Sequence, residues 1–540
     1  MLSILAIPSI VALVGFLVYH QYFRKKDALL SLPPGPKPLP IVGNIFDLPP
    51  PGTPEFQHWF KFKDLYGPIS SVTVLGQTMV ILHDKQAAYD IMEKMSLKTS
   101  GRPKTVFADE LCGFQNFVPS KQYDKTFRLH RKLMHQQSGT QSLSAHFNGI
   151  QDAESRRLLQ RALDDPKNLI KHLKTVAAAI ILKIVYGYSI EPHVADPLVE
   201  LIDRMMHNLS QALVPLSRLV DMVPALKHLP NGFPGTAFKE TARQWNKINH
   251  ATVNIPYSFV ERQMAGGIHR SSFVSRLIER YSGDKSKDGT LDYENEDAIK
   301  WAAGIMYGGG AETTAATLNA FILAMTLFPE VQKKAQEEID DMIGSSPNQL
   351  PTFEDRERLP YTSALVNEVI RWFPIVPITT THATDQEVTY GGYRIPKGSY
   401  LLPSIWWFHH DPQTYRDPFC FSPERFLEPR NEPEPNEAFG WGRRICPGRY
   451  IAYDNLFITI ARLLATFNIS KAVDQQGRQI EPKVEYTSGL VSRPTYFPFN
   501  ITARSKEHEE LVRSMEIDYP WEKGNADLLE FGDGLQNKHI

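Results

Sequence analysis

Cysteine is scarce in this 540-residue chain: Cys112, Cys420 and Cys446 are widely spaced and form no CxxC pair. That excludes a disulfide framework and a structural zinc site, and makes a reducing compartment the default. Net charge is nearly absent too, at -1, so no nucleic acid or acidic partner is expected as the main ligand. No GxGxxG run occurs, so the fingerprint of a dinucleotide-binding fold is missing. Internal repeats and low-complexity tracts are lacking, and no linker divides the body of the chain. What is present, 42% hydrophobic and 22% charged residues, suits a globular protein with a large core. The expectation is one large domain, mainly α with a smaller β region.

Charge is also missing from residues 2–19, where only Ser3 and Ser9 are clearly polar. A helix of that length reaches roughly 27 Å, close to the hydrocarbon thickness of a bilayer. Arg24, Lys25 and Lys26 follow the run instead of preceding it, as a cleaved signal peptide would require. Residues 1–22 therefore read as a single-pass transmembrane anchor, and the positive-inside rule places the rest in the cytoplasm. Residues 23–44 read as a basic, proline-rich hinge, stiff because each proline fixes φ and removes a donor. Residues 45–505 form the expected catalytic domain, and 506–540 a charged C-terminal extension with no assigned role. Residues 301–328 carry one charge, Glu312, and hydropathy alone could make them a second span. A mid-bilayer carboxylate and three successive glycines, Gly308, Gly309 and Gly310, argue instead for a long buried helix ending before Pro329. The glycines suggest a backbone that opens or closely approaches a ligand.

The chemistry centres on FGWGRRICPG at 439–448. Glycines allow tight turns around a sulfur, and their N–H groups can point at it. Arg444, two residues before Cys446, favours a thiolate and can pair with an anion. Taken alone, this is an activated cysteine in a glycine-rich loop, and a nucleophilic cysteine with a distant histidine is the rival.

The segment resembles the haem-binding signature of the cytochrome P450 superfamily, F-x-x-G-x-R-x-C-x-G, with every fixed position filled. The chain is similar to fungal microsomal members that oxidise secondary metabolites, including the O-methylsterigmatocystin oxidoreductase group. The resemblance spans about residues 32–503. It implies the cytochrome P450 fold, haem b as cofactor, and Cys446 as the axial thiolate on the metal. Gly448, Arg444, Arg128 and His382 are the implied further cofactor contacts. Phe127 departs from the family's usual Trp before Arg128, and a Phe ring cannot donate a hydrogen bond. Glu368 and Arg371 match the family's E-x-x-R, with Arg425 as third member of a buried ionic triad. Glu312 and Thr313 resemble the acid–alcohol pair that delivers protons for dioxygen activation.

By the same resemblance the substrate pocket is apolar, with Phe107, Phe114, Phe117, Ile375, Val376 and Leu490 on its wall. The implied activity is oxygen insertion from O2 into a large lipophilic substrate. Electrons would come from NADPH–cytochrome P450 reductase, and cytochrome b5 is a further candidate partner. Arg131, Lys132, Arg443 and Arg449 form the expected basic docking face, on an enzyme held at the endoplasmic reticulum membrane. The alternatives are a haem-thiolate isomerase or dehydratase that uses no O2, and a non-catalytic haem sensor.

Overall fold

Long helices form where apolar residues recur at helical spacing behind a capping side chain, and a small sheet forms where β-branched runs replace them. The computed structural model describes residues 30–282, 291–344 and 349–531. The expected anchor, residues 1–22, lies outside them, as does the first part of the hinge. The first half of the chain builds α1 (Glu55–Tyr66), β1 (Ile69–Val74), β2 (Gln77–Leu82), α2 (Lys125–Ser138), α3 (Asn148–Asp164), α4 (Leu169–Tyr186), α5 (Pro197–Ala212), α6 (Ala237–Ala265) and α7 (Phe273–Ser282). The second half builds α8 (Tyr293–Leu327), α9 (Pro329–Ile343), α10 (Pro360–Trp372), β3 (His382–Ala383), β4 (Val388–Tyr390), β5 (Tyr393–Ile395), β6 (Tyr400–Pro403), α11 (Arg449–Thr466), β7 (Phe467–Lys471), β8 (Phe499–Ala503) and α12 (Lys506–Asp518). The mainly α architecture with a minor β region matches the expectation.

Capping follows ordinary chemistry. Asp124 opens α2 by accepting the Phe127 N–H at 2.7 Å. Asp196 opens α5, accepting from Leu198 and Val199 with Pro197 at the first helical position. Each such cap contributes about 1 kcal/mol.

Helix α8 runs 35 residues without a break and ends at Phe328, where Pro329 starts α9. The long buried helix expected from the sequence is therefore present, and the glycines do not open it. A Cβ on Gly310 would lie 2.8 Å from Ile181 of α4, and one on Gly308 2.7 Å from Met206 of α5. Those two glycines let neighbouring helices press against α8; only Gly309 faces open space. Among the described residues no single helix is long and apolar enough to cross a membrane. The α8–α9 pair passes such a test only jointly and is bent by 104°.

The four-stranded sheet has the order β1-β2-β6-β3, with β2 and β6 parallel. This pairing carries the first hundred residues onto the second half of the chain. A bridge between Gly101 and Ala383 then lays residues 100–102 beside His382. The described part of the proline-rich hinge is fastened to the same sheet. Ser71 donates its N–H to the Pro34 carbonyl at 2.8 Å and its hydroxyl to that of Pro33 at 2.6 Å. Prolines can only accept here, which suits an edge.

The ionic triad is assembled with all three side chains fully buried. Arg371 makes a fork onto Glu368, Nε to Oε2 at 2.7 Å and Nη2 to Oε1 at 2.8 Å. Arg425 Nε lies 3.0 Å from Glu368 Oε2. The remaining donors of Arg371 go to the carbonyls of His409, Pro418 and Cys420. One helix, α10, is thereby clamped to the loop that leads toward Cys446.

The described part of the C-terminal extension is also packed on the body. Glu522 receives Lys183 at 2.8 Å, Arg270 at 2.7 Å, Arg157 at 3.2 Å and the Ser189 hydroxyl at 2.9 Å. The Arg161 guanidinium sits 4.7 Å from the Trp521 ring centre. The extension thus ties α3 and α4 to residues 189 and 270.

Candidate active site

Between α2, α4, α5, α8 and α11 lies a cavity of about 340 Å³. Cys446 borders it from the loop that precedes α11, and is the one cysteine that does. Cys112 is buried elsewhere and Cys420 is exposed. The loop is shaped by turns: Gly440 and Gly442 both have positive φ, and a Cβ on Gly442 would lie 2.9 Å from the Met92 carbonyl oxygen. The Cys446 N–H donates to the Phe439 carbonyl at 2.8 Å. Its sulfur faces the N-terminus of α11, where Gly448 is the capping residue. Burial raises the thiol pKa, while the Gly448 N–H and the charges of Arg131 and Arg449 oppose that rise. The helix N-terminus and two guanidiniums thus offset part of the rise that burial imposes on the thiol. Arg444 is not among those charges, contrary to the reading from its spacing.

Arg444 is also expected to pair with an anion. It borders the cavity, and its donors go to the carbonyls of Ser100 at 2.8 Å, Val118 at 3.2 Å and Lys121 at 2.8 Å. Its guanidinium carbon lies 4.1 Å from the centre of the Phe127 ring, so Phe127 offers a π face where an indole N–H is absent. Carbonyls do not neutralise the cation, and burial pulls its pKa down, with Arg131 adding repulsion. His382 borders the cavity as well. Its Nδ1 lies 2.8 Å from the Thr99 carbonyl, which makes Nδ1 the protonated nitrogen. Burial, then the nearby Arg102 and Arg444, keeps the ring neutral.

Arg128 is not brought to the cavity. It is exposed, with Tyr123 as its aromatic neighbour at 5.9 Å. Arg131, one turn further along α2, borders the cavity in its place. The reason is helical phase: Phe127, Arg131, Met134 and Ser138 line the cavity at i, i+4, i+7 and i+11, and Arg128 is one step off that stripe. The spacing held this signal. Arg102 is a second residue that the site reading missed. It donates through Nη1 to the carbonyls of Thr380 at 2.6 Å and Thr381 at 2.9 Å, and its buried Nε has no partner.

On the opposite wall Thr313 borders the cavity and donates its hydroxyl to the Gly309 carbonyl at 2.5 Å. The hydroxyl proton is thus committed, and the oxygen is left as an acceptor for water. Thr314 borders the cavity too, but Glu312 does not. The Glu312 carboxylate turns away and pairs with Arg493 at 3.1 Å. Ile375, Val376 and Leu490 line the cavity as expected, and Val491 lines it beside them. Phe107, Phe114 and Phe117 do not: they are fully buried in the core, where Phe107 packs on Trp245 and Phe117 on Trp301.

One wall of the cavity is therefore cationic, the others carry no charged side chain, and a sulfur stands on its border. No aspartate or glutamate lines it among the described residues. Arg102, Arg131 and Arg444 have no carboxylate partner there, and the Arg102 Nε is unmatched. These residues fit a flat, largely apolar cofactor with anionic substituents on one edge and a metal that takes a thiolate. Such a fold and site define a haem-thiolate protein.

A family model for cytochrome P450 matches residues 33–499. Cytochrome P450 monooxygenase CLM2 of Gibberella zeae is 50% identical over 525 residues, covering 96% of this chain and 98% of that protein. Multifunctional cytochrome P450 monooxygenase af510 of Aspergillus fumigatus is 48% identical, covering 97% and 98%. O-methylsterigmatocystin oxidoreductase of Aspergillus flavus is 36% identical, covering 96% and 97%. The chain belongs to the cytochrome P450 family and is a monooxygenase of that family, whose cofactor is haem b bound through a cysteine thiolate.

Proposed function

We propose that this enzyme inserts one oxygen atom from O2 into a large, neutral, lipophilic substrate, as a step of fungal secondary metabolism. The observation that carries the reading is the division of the cavity. All its guanidiniums lie on the Arg102, Arg131 and Arg444 side, and the part lined by α5, α8, Ile375, Val376 and Leu490 has no charged side chain. An anionic or cationic substrate would be left without a partner in that part, at a severe desolvation penalty. Relatives named as monooxygenases of fungal origin support the same chemistry.

Cys446 would hold the haem iron, Gly448 would donate to its sulfur, and Arg102, Arg131, Arg444 and His382 would face the propionate edge. Haem b held by a thiolate supplies the activation of dioxygen. The rest is done by this chain. Ile375, Val376, Leu490 and Val491 exclude bulk water and press an apolar substrate toward α8. Thr313 accepts a hydrogen bond from a water and so orients that water's protons. Glu312 lies one step back along the helix, joined to the partly exposed Arg493, and passes protons inward from the surface side. The intact Thr313 and Glu312 favour oxygenation over the isomerase, dehydratase and sensor alternatives, none of which needs supplied protons.

Electrons would come from NADPH–cytochrome P450 reductase, with cytochrome b5 as a second donor. Lys132 and Arg443 are exposed near the Cys446 loop and suit an acidic docking face; Arg131 is turned into the cavity instead. Residues 1–22 would anchor the enzyme in the endoplasmic reticulum membrane by one span, with the catalytic domain cytoplasmic. The test uses full-length protein in phospholipid vesicles with reductase, NADPH and 18O2, supplied with lipophilic extracts of fungal cultures. A product carrying one 18O atom is expected. Products without the label would indicate isomerase or dehydratase chemistry, and substrate-independent NADPH use without product would remove the enzymatic reading.

A further inference from the structure

Glu312 is nearly buried, at 8% exposure, and among the described residues its ionic partner is Arg493. The two are far apart in the chain, and Arg493 belongs to a turn with two other connections. Leu490 and Val491 of this turn line the cavity. The Ser492 N–H donates to the carbonyl of Ile375, another lining residue, at 2.7 Å. The turn is closed on itself as well. Thr487 N–H donates to the Arg493 carbonyl at 3.0 Å, Arg493 N–H to Thr487 Oγ1 at 3.0 Å, and Ser492 Oγ to the Thr487 carbonyl at 2.9 Å. Val491 N–H is held by Ser210 Oγ of α5 at 3.1 Å. The backbone that carries Arg493 is therefore fixed on three sides, and so is the place from which its guanidinium reaches Glu312.

A buried carboxylate without a counter-charge either takes up a proton or turns toward water or another cation. We propose that Arg493 is a positioning residue for proton delivery: it holds the Glu312 carboxylate directed away from the cavity, on the surface side of Thr313. This rests on the proton-supplying role of Glu312 given above. The closest contact joins one Arg493 nitrogen to one Glu312 oxygen at 3.1 Å. A lysine can supply one such charged nitrogen.

The test compares full-length, haem-loaded wild type with Arg493→Gln and Arg493→Lys. The first readout needs no turnover: the C–O stretching band of the carbon monoxide complex, which senses the field near Thr313. Arg493→Gln should shift or split that band, while Arg493→Lys keeps the wild-type band at an unchanged melting temperature. The second readout, with reductase and NADPH, is hydrogen peroxide released per NADPH. It should rise at least twofold in Arg493→Gln and return to near wild type in Arg493→Lys. Adding Arg493→Gln to Glu312→Gln should change nothing further. An unchanged band and ratio in Arg493→Gln overturn the proposal. So does a loss that Arg493→Lys fails to restore together with a lowered melting temperature, because that is a purely structural role. If wild type itself reduces no dioxygen with NADPH, the oxygenase reading fails, and the carbonyl band alone still decides where Arg493 holds Glu312.

Discussion

Replacing Arg371 with alanine is the sharpest test of how the cofactor-side core is held. The side chain is fully buried and satisfies five acceptors: two oxygens of Glu368 and the carbonyls of His409, Pro418 and Cys420. In Arg371→Ala the Glu368 carboxylate keeps Arg425 and the Ser422 N–H, at 3.0 and 2.8 Å, but loses its fork. The Cys420 carbonyl keeps a donor from Arg425 at 3.0 Å, while those of His409 and Pro418 lose the donor Arg371 supplied. Removing one partner of a buried ion pair typically costs ~3–5 kcal/mol. Each buried acceptor left without a donor costs about 1–3 kcal/mol within or beyond that figure. Against a total stability of about 5–15 kcal/mol, the variant should be largely unfolded or unable to retain haem. Arg371→Lys keeps the charge and loses the planar fork, so an intermediate loss is expected. The assays are denaturant unfolding and haem per polypeptide after expression. Haem content at the wild-type level, with an unfolding free energy within ~1 kcal/mol of wild type, would refute the reasoning, because a surface pair is worth only that much.

Cys446→Ser should abolish the red-shifted Soret band of the ferrous carbonyl complex, while Cys112→Ser and Cys420→Ser keep it; retention in Cys446→Ser would remove the thiolate assignment. Arg131→Ala should lower haem retention on dilution, and Arg128→Ala should leave it unchanged, since only Arg131 borders the cavity. The reverse pattern would show that the helical phase of α2 has been misjudged. Thr313→Ala should bind haem and accept electrons normally but release hydrogen peroxide in place of oxidised product, measured as product per NADPH. Full coupling in that variant would end the proton-relay role. Glu522→Gln should lower the melting temperature at neutral pH. Burial opposes ionisation of Glu522, but hydrogen bonds from Lys183 and Arg270 outweigh it and lower the pKa. Its contribution is therefore present above the ordinary carboxylate range and disappears as pH falls through the lowered value. Wild type and Glu522→Gln should converge in acid; an equal gap at pH 7 and in strong acid would count against the clasp.

What the sequence by itself determined is whatever covalent spacing controls. The Cys446 loop is contiguous, so its glycines, its cysteine and the helix start after it arrive together. Glu368 and Arg371 share a face because they stand three apart on a helix. The long helix had to end near Pro329, since proline has no N–H to continue it. The cavity stripe of α2 was legible in the same way, because Phe127, Arg131 and Met134 stand at helical spacing, and attention to Arg128 overlooked it. Only the tertiary structure decided the rest. Arg102 reaches the cavity because Gly101 bridges Ala383, a contact across the whole molecule. Phe107 and Phe117 look like pocket residues in sequence, yet Trp245 and Trp301 draw them into the core. Glu312 is turned from the cavity by an arginine in a distant turn, and the C-terminal extension finds its cations on α3 and α4. No local pattern encodes such pairings, because their partners are chosen by how helices and loops pack and by which buried charges must be matched.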